Sequence, residues 1–345
     1  MKLKIPRPTY LLPIVALCSA PAFSQTGRSL YEFLDIPTSA RVYGLGGTNI
    51  SVIDADVTLA DQNPALIGPE IESQLAVNYM HYMGSGNFAG IRYAKGAGER
   101  GAWAAGIRYL NYGSFDAYEP DGSMSGSFKA QDIVFEGTYS HDFTDRLRGG
   151  INVKMVYSNY ESYNAFAMAT DLGINYYDDE KDLSLSAVLR NMGGQLKRFD
   201  ERYDRVPFDI QLGYMQGLGS SPFSLAITAT NLTKWDLPYY SHPKNDSGEE
   251  SELKSSFFSN LFRHLIFGLQ YQPNDRFYID LAYNYKTRTD MSTYQRNFLS
   301  GFSAGLGLKV RGFSFGAAYA MPHKGGSSVM LNIACNFGDF LYSEE

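Results

Sequence analysis

The chain has 345 residues, 44% hydrophobic and 14% aromatic, with 34 Gly, 26 Tyr, 22 Phe, 2 Cys and a formal net charge of −6. That is too apolar for a disordered chain, too poor in cysteine for a disulfide-stapled one and too acidic to favour nucleic acid as a partner. The length admits either two soluble domains or one large barrel.

Residues 1–24 read as a signal peptide for Sec export. Lys2, Lys4 and Arg7 form a positive start, Leu11 to Ala20 is an apolar stretch, and Ala20-Pro21-Ala22 or Ala22-Phe23-Ser24 offers small residues for cleavage. The apolar run is well short of the ~20 residues of a membrane anchor. A lipoprotein signal at Cys18 is disfavoured by Leu17, where a small residue is wanted. Loss of the leader makes the remainder more acidic and leaves Cys335 as its one cysteine, so no intrachain disulfide is expected.

Residues 25–70 differ in texture, mixing short apolar pieces with turn formers. Tyr31-Glu32-Phe33-Leu34 and Ser39-Ala40-Arg41 are followed by Gly46-Gly47 and by Asn63-Pro64-Ala65. Asn-Pro favours a turn. The segment is expected to fold as a hatch or plug in a barrel mouth, with Gly46, Gly47, Asn63, Pro64 and Ala65 as its structural motif.

From residue 71 to 340 the dominant signal is alternation of greasy and wet positions, the period of a strand. Ile151, Val153, Met155 and Tyr157 alternate with Asn152 and Lys154, and Ile279, Leu281 and Tyr283 alternate with Asp280 and Asn284. The pattern predicts about fourteen strands, near 72–82, 87–95, 102–111, 127–140, 146–157, 165–176, 182–192, 207–217, 222–232, 261–271, 276–286, 297–309, 313–321 and 327–337. Most approach the ~9–11 residues that cross a bilayer when tilted. Links after even strands are brief, whereas Gly113–Gly126, Gly193–Val206, Lys234–Asn260 and Thr287–Gln295 are long, the asymmetry of an outer-membrane barrel. A soluble sandwich or propeller explains the alternation equally well, but not the leader, nor the aromatic strand ends Tyr93, Tyr109, Tyr157, Tyr176, Tyr271 and Phe337. The expected fold is all-β: a transmembrane antiparallel β-barrel of about 14 strands with an N-terminal hatch, in the cell outer membrane and in contact with its lipid.

Chemistry is harder to find. Gly96-Ala97-Gly98-Glu99-Arg100-Gly101 fits a dinucleotide fingerprint, yet a strand pattern follows where a helix is required, so a tight turn is expected. Gly301-Phe302-Ser303-Ala304-Gly305 fits a nucleophile elbow but lies within an alternating strand; its small residues are expected to relieve crowding in the lumen. His81, His141, His242, His264 and His323 show no metal-ligand spacing. No enzyme, cofactor or metal reading follows. Arg92, Arg108, Asp132, Glu136, Arg148, Lys154, Asp171, Arg190, Asp280 and Lys286 fall on the lumen side, where charges of both signs should pair with one another or with a plug. Such an interior argues against both an anion pore and a greasy conduit.

The N-terminal motifs, with Asp171-Leu172-Gly173, Asn191-Met192-Gly193-Gly194 and Thr230-Asn231-Leu232-Thr233-Lys234-Trp235, resemble those of the PorV/PorQ group of the Bacteroidota, and of its PorQ-type members most. This group is related to the long-chain fatty acid transporter FadL. The resemblance implies a non-enzymatic component of the type IX secretion system that anchors a PorZ-like surface protein within the PorU/PorV attachment complex. Trp235, Tyr239, Tyr240, His242, Glu249 and Glu250, in the longest loop, are the expected partner contacts, since aromatic residues carry interfaces. The alternative is a FadL-like transporter of hydrophobic small molecules, which predicts an apolar pocket between hatch and wall plus a lateral opening, and which a kinked strand with extra Gly or Pro would support. A specific porin would need an unplugged lumen.

Overall fold

A computed structural model describes residues 29–82, 85–119, 122–199, 203–240, 253–290, 299–323 and 326–338. The leader expected over 1–24 lies outside them.

Fourteen antiparallel strands close into a barrel. They are β1 (Gln74–His81), β2 (Asn87–Ala97), β3 (Gly101–Tyr118), β4 (Met124–Thr144), β5 (Leu147–Tyr160), β6 (Tyr163–Asp178) and β7 (Leu183–Lys197), then β8 (Asp209–Gly217), β9 (Phe223–Ala229), β10 (Leu265–Asn274), β11 (Phe277–Asn284), β12 (Phe302–Val310), β13 (Phe313–His323) and β14 (Gly326–Asn336). Each strand pairs with its sequence neighbours, and β1 closes on β14 with Gln74 opposite Asn336 and His81 opposite Val329. Closure leaves no terminal edge strand and pairs each strand with a neighbour on both sides, as hydrocarbon requires.

The alternation in sequence becomes an inside and an outside. Along β5, Ile151, Met155 and Tyr157 are exposed on the outer surface while Asn152, Lys154 and Ser158 are buried. Aromatic pairs edge the apolar band at both ends, Tyr93 with Trp103 and Phe223 with Tyr271 at the short-turn mouth, Tyr283 with Phe302 at the other.

The lumen is filled by the chain preceding β1. Leu34, Val42, Ile50, Val52, Val57, Leu59, Ala60 and Ile67 are fully buried there. Three short 3-10 turns (Glu32–Asp35, Val57–Asp61, Pro64–Leu66) and one helical turn, α1 (Ala40–Gly44), carry these residues inward. Ser39 caps α1 through its hydroxyl, and Asn63 caps the last turn by accepting from Ala65 N at 2.9 Å. Two slots in the wall receive them. Gly150 and Gly173 face each other across β5 and β6, and a Cβ on either would lie 2.4 Å from Pro64 C or 2.0 Å from Asn63 Oδ1. Opposite, α1 rests on β12, where a Cβ on Gly44 would lie 2.7 Å from Gly305 Cα. Gly305 thus relieves crowding, as expected of that stretch. The Gly96–Gly101 stretch is the tight turn between β2 and β3, with Gly98 at φ 69°.

Several boundaries differ from the sequence reading. The segment read as a long loop over Gly113–Gly126 is mostly ladder, because β3 and β4 continue to Tyr118 and Met124. The tenth strand was expected from 261, but helix α2 (Phe257–His264) occupies its start. Ser256 accepts from Ser259 N at 3.3 Å, and Arg263 and His264 sit at the negative end of the helix. The eleventh strand was expected to reach 286, yet helix α3 (Tyr285–Asp290) begins at 285. The ninth stops at Ala229 rather than 232, where Thr230 N turns to His264 O and Asn231 adopts φ 59°.

The wall is therefore uneven. β4 has 21 residues, whereas β9 has 7 and β11 has 8. Between β7 and β8 the ladder ends at Arg190–Asp209, although β7 continues along β6 to Lys197. At that point Asn191 takes φ 54° and the β6–β7 register shifts.

Candidate functional site

Most charges expected to face the lumen do so; some pair within the wall, and Arg108, Arg148 and Arg190 reach the hatch. Glu136 on β4 binds Arg92 and, at 2.6 Å, Arg108; Arg108 reaches Asp61 of the hatch at 3.4 Å. Lys154 pairs with Asp171 at 2.7 Å. Arg190 donates to Gln62 Oε1 at 3.1 Å and to Leu34 O at 2.9 Å. Nearer the short-turn mouth, Arg41 binds Asp54 and, at 2.8 Å, Gln272, with its guanidinium over the Tyr278 ring, while Lys309 binds the other oxygen of Asp54. Burial opposes the charge on Asp61, but Arg108, Arg190 and Lys154 outweigh it and hold the carboxyl below the ordinary aspartate range. Lys286 departs from expectation: it lies on α3, outside the strand, because the helix begins one residue earlier.

These pairs consume the polar interior, and a cavity of about 340 Å³ remains between hatch and wall at the long-loop mouth. The hatch supplies Ile36, Pro37 and Tyr43; β1 adds Met80, and Phe302 and Ala320 come from β12 and β13. Gly46 and Gly47 form one edge. Both have positive φ, 98° and 86°, and a Cβ on Gly46 would meet Ile266 Cγ2 at 2.3 Å, so glycine is required for the chain to turn here. Ser303 donates to Gly44 O at 2.8 Å and fixes this turn to the wall. Among the described residues, charged lining is confined to Glu32, Asp35, Lys286 and Asp290. Lys286 Nζ and Arg263 Nη2 bind opposite oxygens of Asp290 at 2.9 and 2.5 Å, and despite burial they keep that carboxyl below its ordinary range. A second, more polar cavity of about 440 Å³, lined by Ser51, Tyr177, Ser184, Gln270 and Gln272 among others, opens at the short-turn mouth. Among the described residues no set of His, Cys, Asp and Glu is gathered for a metal.

The hatch motif and the loop residues fall in separate places. Gly46 and Gly47 line the cavity, whereas Asn63, Pro64 and Ala65 dock in the Gly150–Gly173 slot away from it. Trp235 stands at the rim, 47% exposed, its ring stacked on His264 at 5.1 Å and 5.5 Å from Phe257. Tyr239 lies under the Arg263 guanidinium at 5.0 Å, in a two-stranded ribbon where it pairs with Lys254 and Tyr240 with Leu253. His242, Glu249 and Glu250 lie outside the described residues. His264 is buried, its ring nitrogens on Thr230 O and Trp235 O. Sequence reasoning missed Phe257, Phe258 and Phe262 of α2, all exposed at this rim. The Ser256 cap and the apolar Phe258, Leu261 and Phe262 at helical spacing were the available signal. It also missed the cavity, whose walls come from both ends of the chain.

No protein-family model matches the chain, and no curated protein matches it. Among solved structures it is similar to the Ralstonia pickettii toluene transporter TbuX (TM-score 0.54, 11% identity, covering 88% of this chain and 98% of that one). The Pseudomonas putida toluene transporter TodX gives a TM-score of 0.54 at 11% identity, covering 87% and 97%. A Pseudomonas aeruginosa FadL homologue gives 0.50 at 13%, covering 87% and 98%. The chain therefore has the fold of FadL-like outer-membrane barrels.

Proposed function

We propose that this barrel takes up a small molecule with an apolar body, which it first binds in the cavity between hatch and wall at the outer face. The cavity itself carries the reading. Its volume falls in the ~300–1,000 Å³ range of small-molecule sites, and Ile36, Pro37, Tyr43, Met80, Tyr82, Phe302 and Ala320 give it an apolar surface beside polar groups from hatch and wall. The broken ladder at Asn191, followed by Gly193 and Gly194, supports the reading as a kinked strand, and two of the barrels sharing the fold are toluene transporters. The mixed interior charge does not weigh against this reading, because those side chains are engaged by one another within the wall or by the hatch.

The test is binding of a monoaromatic probe such as 2-phenylethanol to the detergent-purified full chain. Ala320→Trp, which fills the cavity, should abolish binding while leaving the heat-modifiable migration of a folded barrel unchanged. Unaltered binding in that variant would remove the site.

A second reading, the one implied by the PorV/PorQ resemblance, is a type IX secretion component that anchors a PorZ-like protein in the PorU/PorV complex. Exposed Trp235, Phe257 and Phe258 at the rim favour it, as a partner surface needs such anchors. Gene deletion separates the two: loss of small-molecule uptake with surface attachment of secreted cargo intact supports the transporter, and the reverse supports the scaffold.

A further inference from the structure

We propose that α2 is an interfacial helix, its phenylalanine face seated in the acyl chains of the outer leaflet just under the headgroups, where it continues the apolar band above the short strands β9 to β11. The inference stands on the membrane barrel of the fold and needs neither a ligand in the cavity nor a partner protein.

Helix α2 is amphipathic the wrong way round for water. At about 3.6 residues per turn, Phe257, Phe258, Leu261 and Phe262 share one side and Asn260, Arg263 and His264 the other. The greasy side is the outer one: Phe257, Phe258 and Phe262 are 63%, 71% and 47% exposed, whereas Asn260, Arg263 and His264 are buried. A surface helix bathed in water turns its apolar stripe to the core instead. The inward polar groups are all held by protein. Asn260 donates to Asp236 Oδ1 at 3.1 Å, Arg263 binds Thr289 and Asp290, and the ring nitrogens of His264 meet Thr230 O and Trp235 O. No charged side chain of α2 is left on the outer side, so nothing polar resists its burial in lipid.

The apolar medium that covers this face is fixed by its neighbours. His264 ends α2 and Leu265 begins β10 without a break. On β10, Ile266, Gly268 and Gln270 point inward, so Leu265, Phe267 and Leu269 point outward. The Phe262 ring lies 6.3 Å from that of Phe267, and Phe257 lies 5.5 Å from Trp235, so the greasy surface of the wall passes into the helix and ends on a tryptophan, as interfacial belts do. Strand length supplies the need. β9 and β11, which flank β10, have 7 and 8 residues. At ~3.3 Å per residue and a tilt of ~40° they rise only about 18–20 Å, short of the ~25 Å apolar band of such barrels. The phenylalanine face stands where that shortfall lies. A protein partner on the same residues would leave the band incomplete there, and rim aromatics seated in lipid are not available as its anchors.

The experiment uses the full chain refolded into phosphatidylcholine vesicles whose acyl chains carry bromine either close to the headgroup or near the chain ends. Trp103→Phe and Trp235→Phe remove both tryptophans of the chain. Phe258→Trp then places a single reporter on α2, and Leu306→Trp, on a 54% exposed side chain in the middle of β12, marks the membrane interior. Heat-modifiable migration checks that each variant is folded, with Phe262→Trp as the substitute reporter if Phe258→Trp is not. The α2 reporter should emit to the blue of tryptophan in water and lose most of its emission to the shallow bromine and less to the deep one. Leu306→Trp should show the opposite depth order. Water-like emission from α2 that neither lipid quenches, beside a quenched Leu306→Trp, overturns the inference and returns the face to a protein partner; stronger quenching of α2 by the deep bromine overturns the interfacial placement. If Leu306→Trp also escapes quenching, the membrane-barrel reading falls, and the inference with it.

Discussion

The Gly150–Gly173 slot gives the sharpest test of how the hatch is seated. A methyl placed on Gly150 would lie 2.4 Å from Pro64 C, 2.5 Å from Pro64 O and 2.7 Å from Ala65 N. All three are backbone atoms, and non-bonded carbons prefer about 3.5–4.0 Å, so the turn must retreat by about 1 Å or more. Overpacking of this kind costs about 1–3 kcal/mol. Gly137 on the lipid side of neighbouring β4 is the control, since a Cβ there meets nothing within 4 Å. Replacing a strand glycine by alanine without strain is stabilising by about 0.4–1 kcal/mol through the unfolded chain, so the two substitutions should move in opposite directions. Hydrogen exchange followed by mass spectrometry reads the difference. In Gly150→Ala, amides of 57–67 should exchange about 5- to 150-fold faster, the equivalent of that cost, and in Gly137→Ala they should not. Equal protection in the two variants would refute the close approach and the docking of Asn63-Pro64-Ala65 with it.

Asp61→Asn removes the charged hatch partner of Arg108; Glu136 and Ile36 O still hold the guanidinium, so the cost should sit near the low end of a broken buried pair, about 3 kcal/mol, read as lower hatch protection at unchanged barrel migration. Because the folded pKa of Asp61 is depressed, its contribution is present above the ordinary aspartate value of about 3.9 and is lost as pH falls below it. The Asp61–Arg108 coupling in a double-mutant cycle should therefore be equal at pH 8 and pH 5; a drop between them would contradict the pairing. Asn63→Ala strips the cap from Ala65 N and the 3.0 Å bond to Ile50 O inside the barrel, costing about 1–2 kcal/mol, measurable as a lower thermal midpoint of hatch exchange. Gly46→Ala must accommodate both a positive φ and a methyl 2.3 Å from Ile266 Cγ2, so probe binding at the cavity should fall while Asn63–Ala65 stay docked.

Much of the architecture was legible from the chain because a membrane barrel faces two solvents. Lipid on one side and a polar packed interior on the other impose a period of two on every strand, and Ile151-Asn152-Val153-Lys154 states it without reference to anything distant. The hairpin at Gly98 is equally local. Among the strands misjudged at their ends, the ninth to eleventh border α2 and α3. There a helix and a strand compete for the same apolar residues, and contacts such as Thr230 N to His264 O settle the choice.

The amino-acid order by itself determined that there is a barrel, roughly where its strands run, and that charges of both signs face inward. It could not determine what those charges do. Gly173 meets Asn63, Arg190 meets Leu34, and Gly305 meets Gly44, in each case across more than a hundred residues of chain. Only the closed barrel brings them together, and only then is it apparent that some of the ion pairs brace the wall while others seat the hatch. The cavity is a remainder of that packing. Gly46 and Gly47 form one edge of it, and no local pattern records the space left between two surfaces.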